Sequence, residues 1–206
     1  MKKNYIVLVL LIAMLSAVSQ VPKQNSLKQL STQISKDSNR VMRLIERAGM
    51  FRFSKPDSSI ILAKEALDLA RNGKFIRGEG RALNILGEDY RLGGDYPQAL
   101  DALFTALKIS RDIVDHEIES NSLDFIGITY VDMGEYREGL GYLFQAKDVK
   151  EKFSLKKSNG FFIIMNSFGL SNIGFAYEKL NMFDSALVFQ QQALQTKVDT
   201  SGKYKN

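Results

Sequence analysis

The chain has 206 residues, 28 Lys and Arg against 23 Asp and Glu, a formal charge of +5, one histidine and no cysteine. Without cysteine there are no disulfides, no thiolate ligands and no thiol to carry a lipid, so a bacterial lipoprotein is excluded. Two of the positive charges, Lys2 and Lys3, lie in the first nineteen residues, and 5 − 2 = +3 for the rest gives nucleic-acid binding little support.

Residues 1–19 read as a secretory signal peptide. Lys2 and Lys3 make the basic start, Tyr5 to Ala17 is apolar apart from Ser16, and Ala17-Val18-Ser19 supplies a small-x-small site for cleavage before Gln20. The apolar run is short for a membrane span, which needs about 20 residues. The expected location is therefore the periplasm or cell envelope, with a membrane involved only if the leader is uncleaved. Residues 20–37 are polar, with Leu27, Leu30 and Ile34 at helical spacing, and read as a linker or leading helix.

From residue 38 to 197 the sequence repeats itself. Ala66, Ala106 and Ala146 are 106 − 66 = 40 and 146 − 106 = 40 apart, and Ala193 follows 193 − 146 = 47 later. Gly87, Gly127 and Gly174 each stand nineteen residues before one of these alanines, and Tyr90, Tyr130 and Tyr177 each follow three residues later. A fixed period with small residues in phase marks one supersecondary unit copied and stacked. Each copy holds two amphipathic stretches. In the first, helix A at about Ser38 to Phe51 has Arg47 where glycine belongs, and helix B covers Asp57 to Leu67.

The second copy runs from Arg81 to Leu92, breaks at Gly93-Gly94-Asp95-Tyr96-Pro97, and resumes from Gln98 to about Ser110. Glycine suits a left-handed helix end, Asp95 an N-cap, and Pro97 a first turn, where its missing N–H costs nothing. The third copy gives Leu123 to Met133, Gly134-Glu135-Tyr136, and Gly139 to Val149. The fourth gives Ile173 to Leu180, a turn at Asn181 to Asp184, and Ser185 to Leu194. A glycine inside a helix costs about 1 kcal/mol relative to alanine, so its retention in phase predicts close helix contact. Gly87 should face Ala99, Gly127 should face Gly139, and Gly174 should face Ala186.

Seven extra residues separate the third and fourth copies. Lys150, Lys152, Lys156 and Lys157 there are expected to be solvated, and the apolar run Gly160 to Met165 to be core. Residues 198–206 form a polar tail. A solenoid's last helix B has an uncovered apolar back. Leu187, Phe189 and Leu194 are therefore the expected surface for self-association, or for a continuation in a longer sensor protein.

Leu86-Gly87…Tyr90…Gly94-Asp95-Tyr96…Ala99…Ala106 resembles the tetratricopeptide repeat (TPR), and the third and fourth copies carry the same marks. The resemblance implies an all-α, right-handed α-solenoid of antiparallel helix pairs. It would hold about 3.5–4 repeats of ~40 residues, each helix longer than in the 34-residue form. It also implies a protein or peptide partner, as in the exported sensor regions of bacterial signalling proteins. The carboxylate clamp of the chaperone-binding members is missing, since Asn84, Glu88, Phe125 and Asn172 occupy its positions.

Counting along the copies places Arg81, Asn84, Glu88 and Arg91 on the concave groove in the second. Asn121, Asp124, Ile128 and Val131 follow in the third, then Phe168, Ser171, Phe175 and Glu178 in the fourth. The lining passes from charged to aromatic. No catalytic residue, cofactor site or metal site is expected: no phosphate loop, nucleophile elbow or metal-ligand spacing occurs, and His116 reads as exposed surface. The sequence thus points to a non-catalytic, exported binding scaffold, with a structural or assembly factor of the envelope, acting through the solenoid ends, as the alternative.

Overall fold

The computed structural model describes residues 24–153 and 160–203, with side chains from 37 to 153 and from 167 to 196. The predicted leader, residues 1–19, and Lys156 and Lys157 lie outside the described residues, as do the side chains of the apolar run at 160–165. Contacts divide the chain into Met1–Asp37 and Ser38–Asn206, and the architecture below is that of the second unit.

Among the described residues there are eight helices and no strands. They are α1 (Gln24–Phe51), α2 (Pro56–Asn72), α3 (Ile76–Leu92), α4 (Tyr96–Asp112), α5 (His116–Asp132), α6 (Tyr136–Lys152), α7 (Gly160–Lys179) and α8 (Phe183–Lys203). Helices α2 to α6 are 17 residues each and begin at 56, 76, 96, 116 and 136. The 40-residue period is therefore two half-periods of 20, each one helix and one three-residue connection. No described helix is long and apolar enough to cross a membrane.

The connections share one hydrogen-bond pattern. Phe75, Asp95, Asp115 and Glu135 each donate a backbone N–H to the carbonyl five residues back, on Ala70, Tyr90, Ser110 and Tyr130, at 2.8–2.9 Å. This 6→1 bond closes a Schellman turn, which needs a left-handed residue just before the donor. Gly94 (φ +79) and Gly134 (φ +86) fill that position without strain, while Lys74, Val114 and Asn181 occupy it with φ between 52 and 59. Asp95 caps α4 by accepting from the Gln98 N–H at 3.2 Å, and Asp115 caps α5 by accepting from Glu117 and Ile118.

Packing follows the glycine phase. A Cβ added at Gly87 would fall 2.4 Å from Leu103 and 3.2 Å from the Ala99 carbonyl. One at Gly127 would lie 2.9 Å from the Gly139 carbonyl, and one at Gly139 would lie 2.7 Å from the Gly127 carbonyl. In the fourth hairpin the three atoms nearest to a Cβ at Gly174 all belong to Gln190, with Nε2 at 2.9 Å. Gln190 holds the register position of Leu103 and Leu143. Around these contacts Leu103, Leu123, Ile126, Leu143 and Ile173 are fully buried, as are Ala66, Ala106 and Ala146. Each large side chain so buried contributes about 1.5–3 kcal/mol of transfer free energy.

Helix α3 approaches α5 and α5 approaches α7 at the backbone, whereas α2, α4 and α6 keep their backbones apart, α4 and α6 meeting only through side chains such as Phe104 and Tyr142. The odd-numbered helices therefore line the concave side. Two expectations are corrected here. Lys150 is 4% exposed rather than solvated, because its ammonium meets the Asp124 carboxylate. His116 is half-buried rather than exposed: its ring stacks on Phe153 at 3.4 Å between centroids, and Nδ1 lies 3.2 Å from Glu119.

Candidate functional site: a concave cleft across four helix pairs

A cleft of about 460 Å³ opens on the concave side, and every residue lining it comes from an odd-numbered helix or the turn after α1. The turn after α1 supplies Arg52 and Phe53, and α3 supplies Glu88 and Arg91. Helix α5 gives Asp124, Ile128, Val131 and Asp132, and α7 gives Phe168, Asn172 and Phe175. A site that size is typical of a preformed ligand pocket, roughly 300–1,000 Å³.

The floor at the α1–α3 side is ionic. Arg52 pairs with Glu88 through Nη1, in an ion pair outside hydrogen-bond geometry, and donates from Nε to Asp89 at 3.2 Å. Arg91 donates from Nη1 to Asp132 at 2.5 Å and approaches Glu88 with Nη2 at 4.0 Å. The chain of charge Asp89–Arg52–Glu88–Arg91–Asp132 thus ties the turn after α1 to α3 and α3 to α5. Below it the Ser59 hydroxyl lies 2.6 Å from Asp89 and 2.8 Å from the Ala48 carbonyl, linking α2 to the same floor. Arg52 Nη2 and Arg91 Nε are buried with no acceptor among the described residues.

Burial pushes the carboxyl pKa of Glu88 up, against the opposing pull of Arg52 and Arg91. It does the same at Asp89, against Ser59 and Arg52. Asp124 is raised by burial too, with Lys150 pulling the other way. In each, loss of hydration outweighs the neighbouring cation or donor, the expected ranking for a carboxylate taken out of water. Gly169 makes room above the Asp124–Lys150 pair, since a Cβ there would be 3.2 Å from Asp124 Oδ1 and 3.4 Å from Lys150 Nζ.

Aromatic rings join the lining from the turn after α1 and from α7. Phe53, Phe168 and Phe175 are 81%, 51% and 39% exposed, unusually high for three phenyl rings around one depression.

Of the groove residues expected from sequence, Glu88, Arg91, Asp124, Ile128, Val131, Phe168 and Phe175 line this one cleft. Arg81, Asn84, Asn121, Ser171 and Glu178 do not. Arg81 instead bonds Glu117 on α5 at 2.5 Å. Asn84 is buried between the same helices, donating to the Ile118 carbonyl at 3.3 Å and accepting from Ser122 at 2.8 Å. Both fasten α3 to α5, and Asn121 is half-buried. Arg52 and Phe53 were missed because they follow the degenerate first helix A, where no glycine fixes the register. Of the three residues expected to support self-association, Leu187 and Leu194 are exposed, at 58% and 63%. Phe189 is not available, since it stacks on Tyr177 at 5.6 Å and meets Phe144 edge-on at 5.7 Å.

No family model and no curated protein sequence matches the chain. Solved structures do match. A Rap protein complexed with competence and sporulation factor superposes with a TM-score of 0.70 at 17% identity, covering 82% of this chain and 44% of that one. Aspartyl phosphate phosphatase F from Bacillus subtilis gives 0.67 at 11% identity, over 80% of this chain and 42% of that one. The TPR domain of Arabidopsis FLU gives 0.53 at 17% identity, over 61% of this chain and 98% of that domain. The chain spans less than half the length of the first two. The fold is thus an all-α, TPR-like solenoid, as the repeat register requires.

Proposed function

We propose that this protein is a non-catalytic scaffold that binds a protein or peptide in the concave cleft, and that it does so outside the cytoplasm, in envelope sensing or signalling. The observation that carries the binding claim is the convergence of four successive repeats on one depression with exposed phenyl rings. Seven of its lining residues fall at the register positions that stacking turns inward. Export is supported by Lys2, Lys3, the apolar run and Ala17-Val18-Ser19, and the signalling role by the resemblance to exported sensor repeats. The reading assigns the cleft no chemistry, because its buried ionisable groups are engaged with one another. Short linear ligands suit such grooves, where anchors from successive helices meet alternate side chains.

A second reading, an assembly factor working through the solenoid end, is favoured by the exposed Leu187, Val188 and Leu194 on α8. A photo-crosslinking residue placed in turn at Phe168, Lys108 and Leu194 of the mature protein separates the two in envelope extracts. Adducts at 168 alone support the cleft. Adducts at 194 alone support assembly, and adducts at the back position 108 contradict both.

A further inference from the structure

Resting on the cleft as the binding surface, we propose that what it takes is a basic side chain, a lysine or arginine of the bound peptide. Its stem would lie against the phenyl rings and its cationic head beside Asp132.

The charge census of the cleft and its floor comes first. Three cations, Arg52, Arg91 and Lys150, face four carboxyl groups, Glu88, Asp89, Asp124 and Asp132, and burial raises the pKa of the first three of these four, so formal charge alone does not set the sign. Exposure then decides which charge a visitor meets. The side chains of Arg52, Arg91 and Lys150 are 12%, 13% and 4% exposed, and those of Glu88, Asp89 and Asp124 are 11%, 1% and 4%. Asp132 stands at 32%. The one charged group that a ligand in the cleft reaches freely is therefore a carboxylate. Arg91 engages its Oδ2, and Oδ1 has no partner among the described residues. An acidic ligand would meet this oxygen first, because the two guanidinium groups are only 12% and 13% exposed.

The walls agree with the floor. Phe53 and Phe175 are exposed rings of the lining, and an aromatic face attracts a cation within about 6 Å of the ring centroid. The protein already uses one of them in this way: Lys179, outside the cleft, holds its ammonium 5.0 Å over the Phe175 ring. A long aliphatic stem ending in a cation fits both the apolar walls and the exposed carboxylate.

The test needs no natural partner. The protein, with its phenylalanine rings isotopically labelled, is titrated by NMR with n-pentylammonium, n-pentanol and n-pentanoate, probes of one length and three charges. The expected order is ammonium first, about fivefold tighter than the alcohol, as one exposed ion pair provides, and pentanoate last. Asp132→Asn should erase the ammonium preference and leave pentanol binding intact, while Asp132→Glu should keep it. Should Asp132→Asn fold poorly, potassium chloride added to the unmutated protein should weaken the ammonium alone. Pentanoate binding as well as pentylammonium, no ring shift from any probe, or a preference that survives Asp132→Asn overturns the proposal. Crosslinks retained at residue 168 alongside a failed ammonium preference would sink only the cation, whereas ammonium binding without any adduct would sink the peptide reading.

Discussion

Helices α3 and α7 both line the cleft, yet each is fastened to α5 by different means. Arg81 to Glu117, Asn84 to Ser122 and Arg91 to Asp132 tie α3 to α5 with charge and hydrogen bonds. On the α7 side the described contact is Gly169 over a neutralised pair, beside apolar rings. The register positions of Glu88 and Arg91 become Ile128 and Val131 one period on, then Phe175 and Glu178. The small-residue framework is indifferent to this change, because it depends on Gly127, Gly139 and the alanines behind the lining. Polarity of the concave face is thus free to vary along the array, which is where binding preference is written.

The hardest way to break the comparison is at the buried pair. Lys150→Met should leave the Asp124 carboxylate buried without its cation and cost about 3–5 kcal/mol, read as a lower midpoint in urea unfolding. Asp124→Leu with Lys150→Met should recover to within about 1 kcal/mol of the unmutated protein, since removing both charges removes the penalty. The same positions one period earlier hold Asn84 and Ser110, both neutral, so the fold itself does not ask for ions there.

Glycine separates the third and fourth hairpins more gently. Gly139→Ala would push a methyl to 2.7 Å from the Gly127 carbonyl, a backbone atom with nowhere to go. Overpacking of this kind costs about 1–3 kcal/mol, more than the ~1 kcal/mol gained in helix propensity. For Gly174→Ala the three nearest atoms all belong to the flexible Gln190 side chain, with Nε2 at 2.9 Å, so it should be neutral or stabilising by up to about 1 kcal/mol. Thermal melts of the two variants should shift in different directions. Equal destabilisation would show that the fourth hairpin packs as tightly as the third.

These two hairpins also show what the sequence carried. The 40-residue phase of alanine, glycine and tyrosine encodes backbone approach, and approach fixes which helix faces inward, so Glu88, Arg91, Asp124, Ile128, Phe168 and Phe175 were legible. Partnering is not written in that phase. Arg81 and Asn84 lie on inward-facing helices but are consumed by Glu117 and Ser122. Lys150 reads as one more lysine in a basic stretch until its carboxylate is located 26 residues earlier. Gln190, in a leucine position, sets a flexible polar side chain against Gly174, which the glycine phase alone concealed.

Protonation sharpens the contrast between the two sides. Glu88, Asp89 and Asp124 have pKa values raised above those of the unfolded chain, so the folded state holds protons more tightly. Their stabilising contribution is complete below the unfolded carboxylate pKa, about 4, and is lost as pH rises through the folded values. Hydrogen-exchange protection of α3 and α5 should therefore fall as pH rises above the ordinary carboxylate range. Helix α8, which carries none of these groups, should show no such fall. Asp89→Asn should flatten the trend in α3, and an unchanged slope would mean that Asp89 is ionised throughout.

The smallest expected effect lies in the turns. Val114 sits at φ +55 where Gly94 and Gly134 stand one half-repeat before and after. A β-carbon in the left-handed region costs about 1–2 kcal/mol, and branching at that carbon makes relief harder. The side chain is 69% exposed, so removing it forfeits little packing. Glycine gives back about 0.4–1 kcal/mol through a freer unfolded chain. Val114→Gly should thus stabilise by roughly 0.5–1 kcal/mol, a rise of about 1–4 °C in Tm for a chain of this size. Gly134→Val, the reciprocal exchange one half-repeat on, should lower Tm by at least as much. A Val114→Gly protein that melts lower would mean that the valine makes a contact in solution strong enough to hold its backbone in a strained turn.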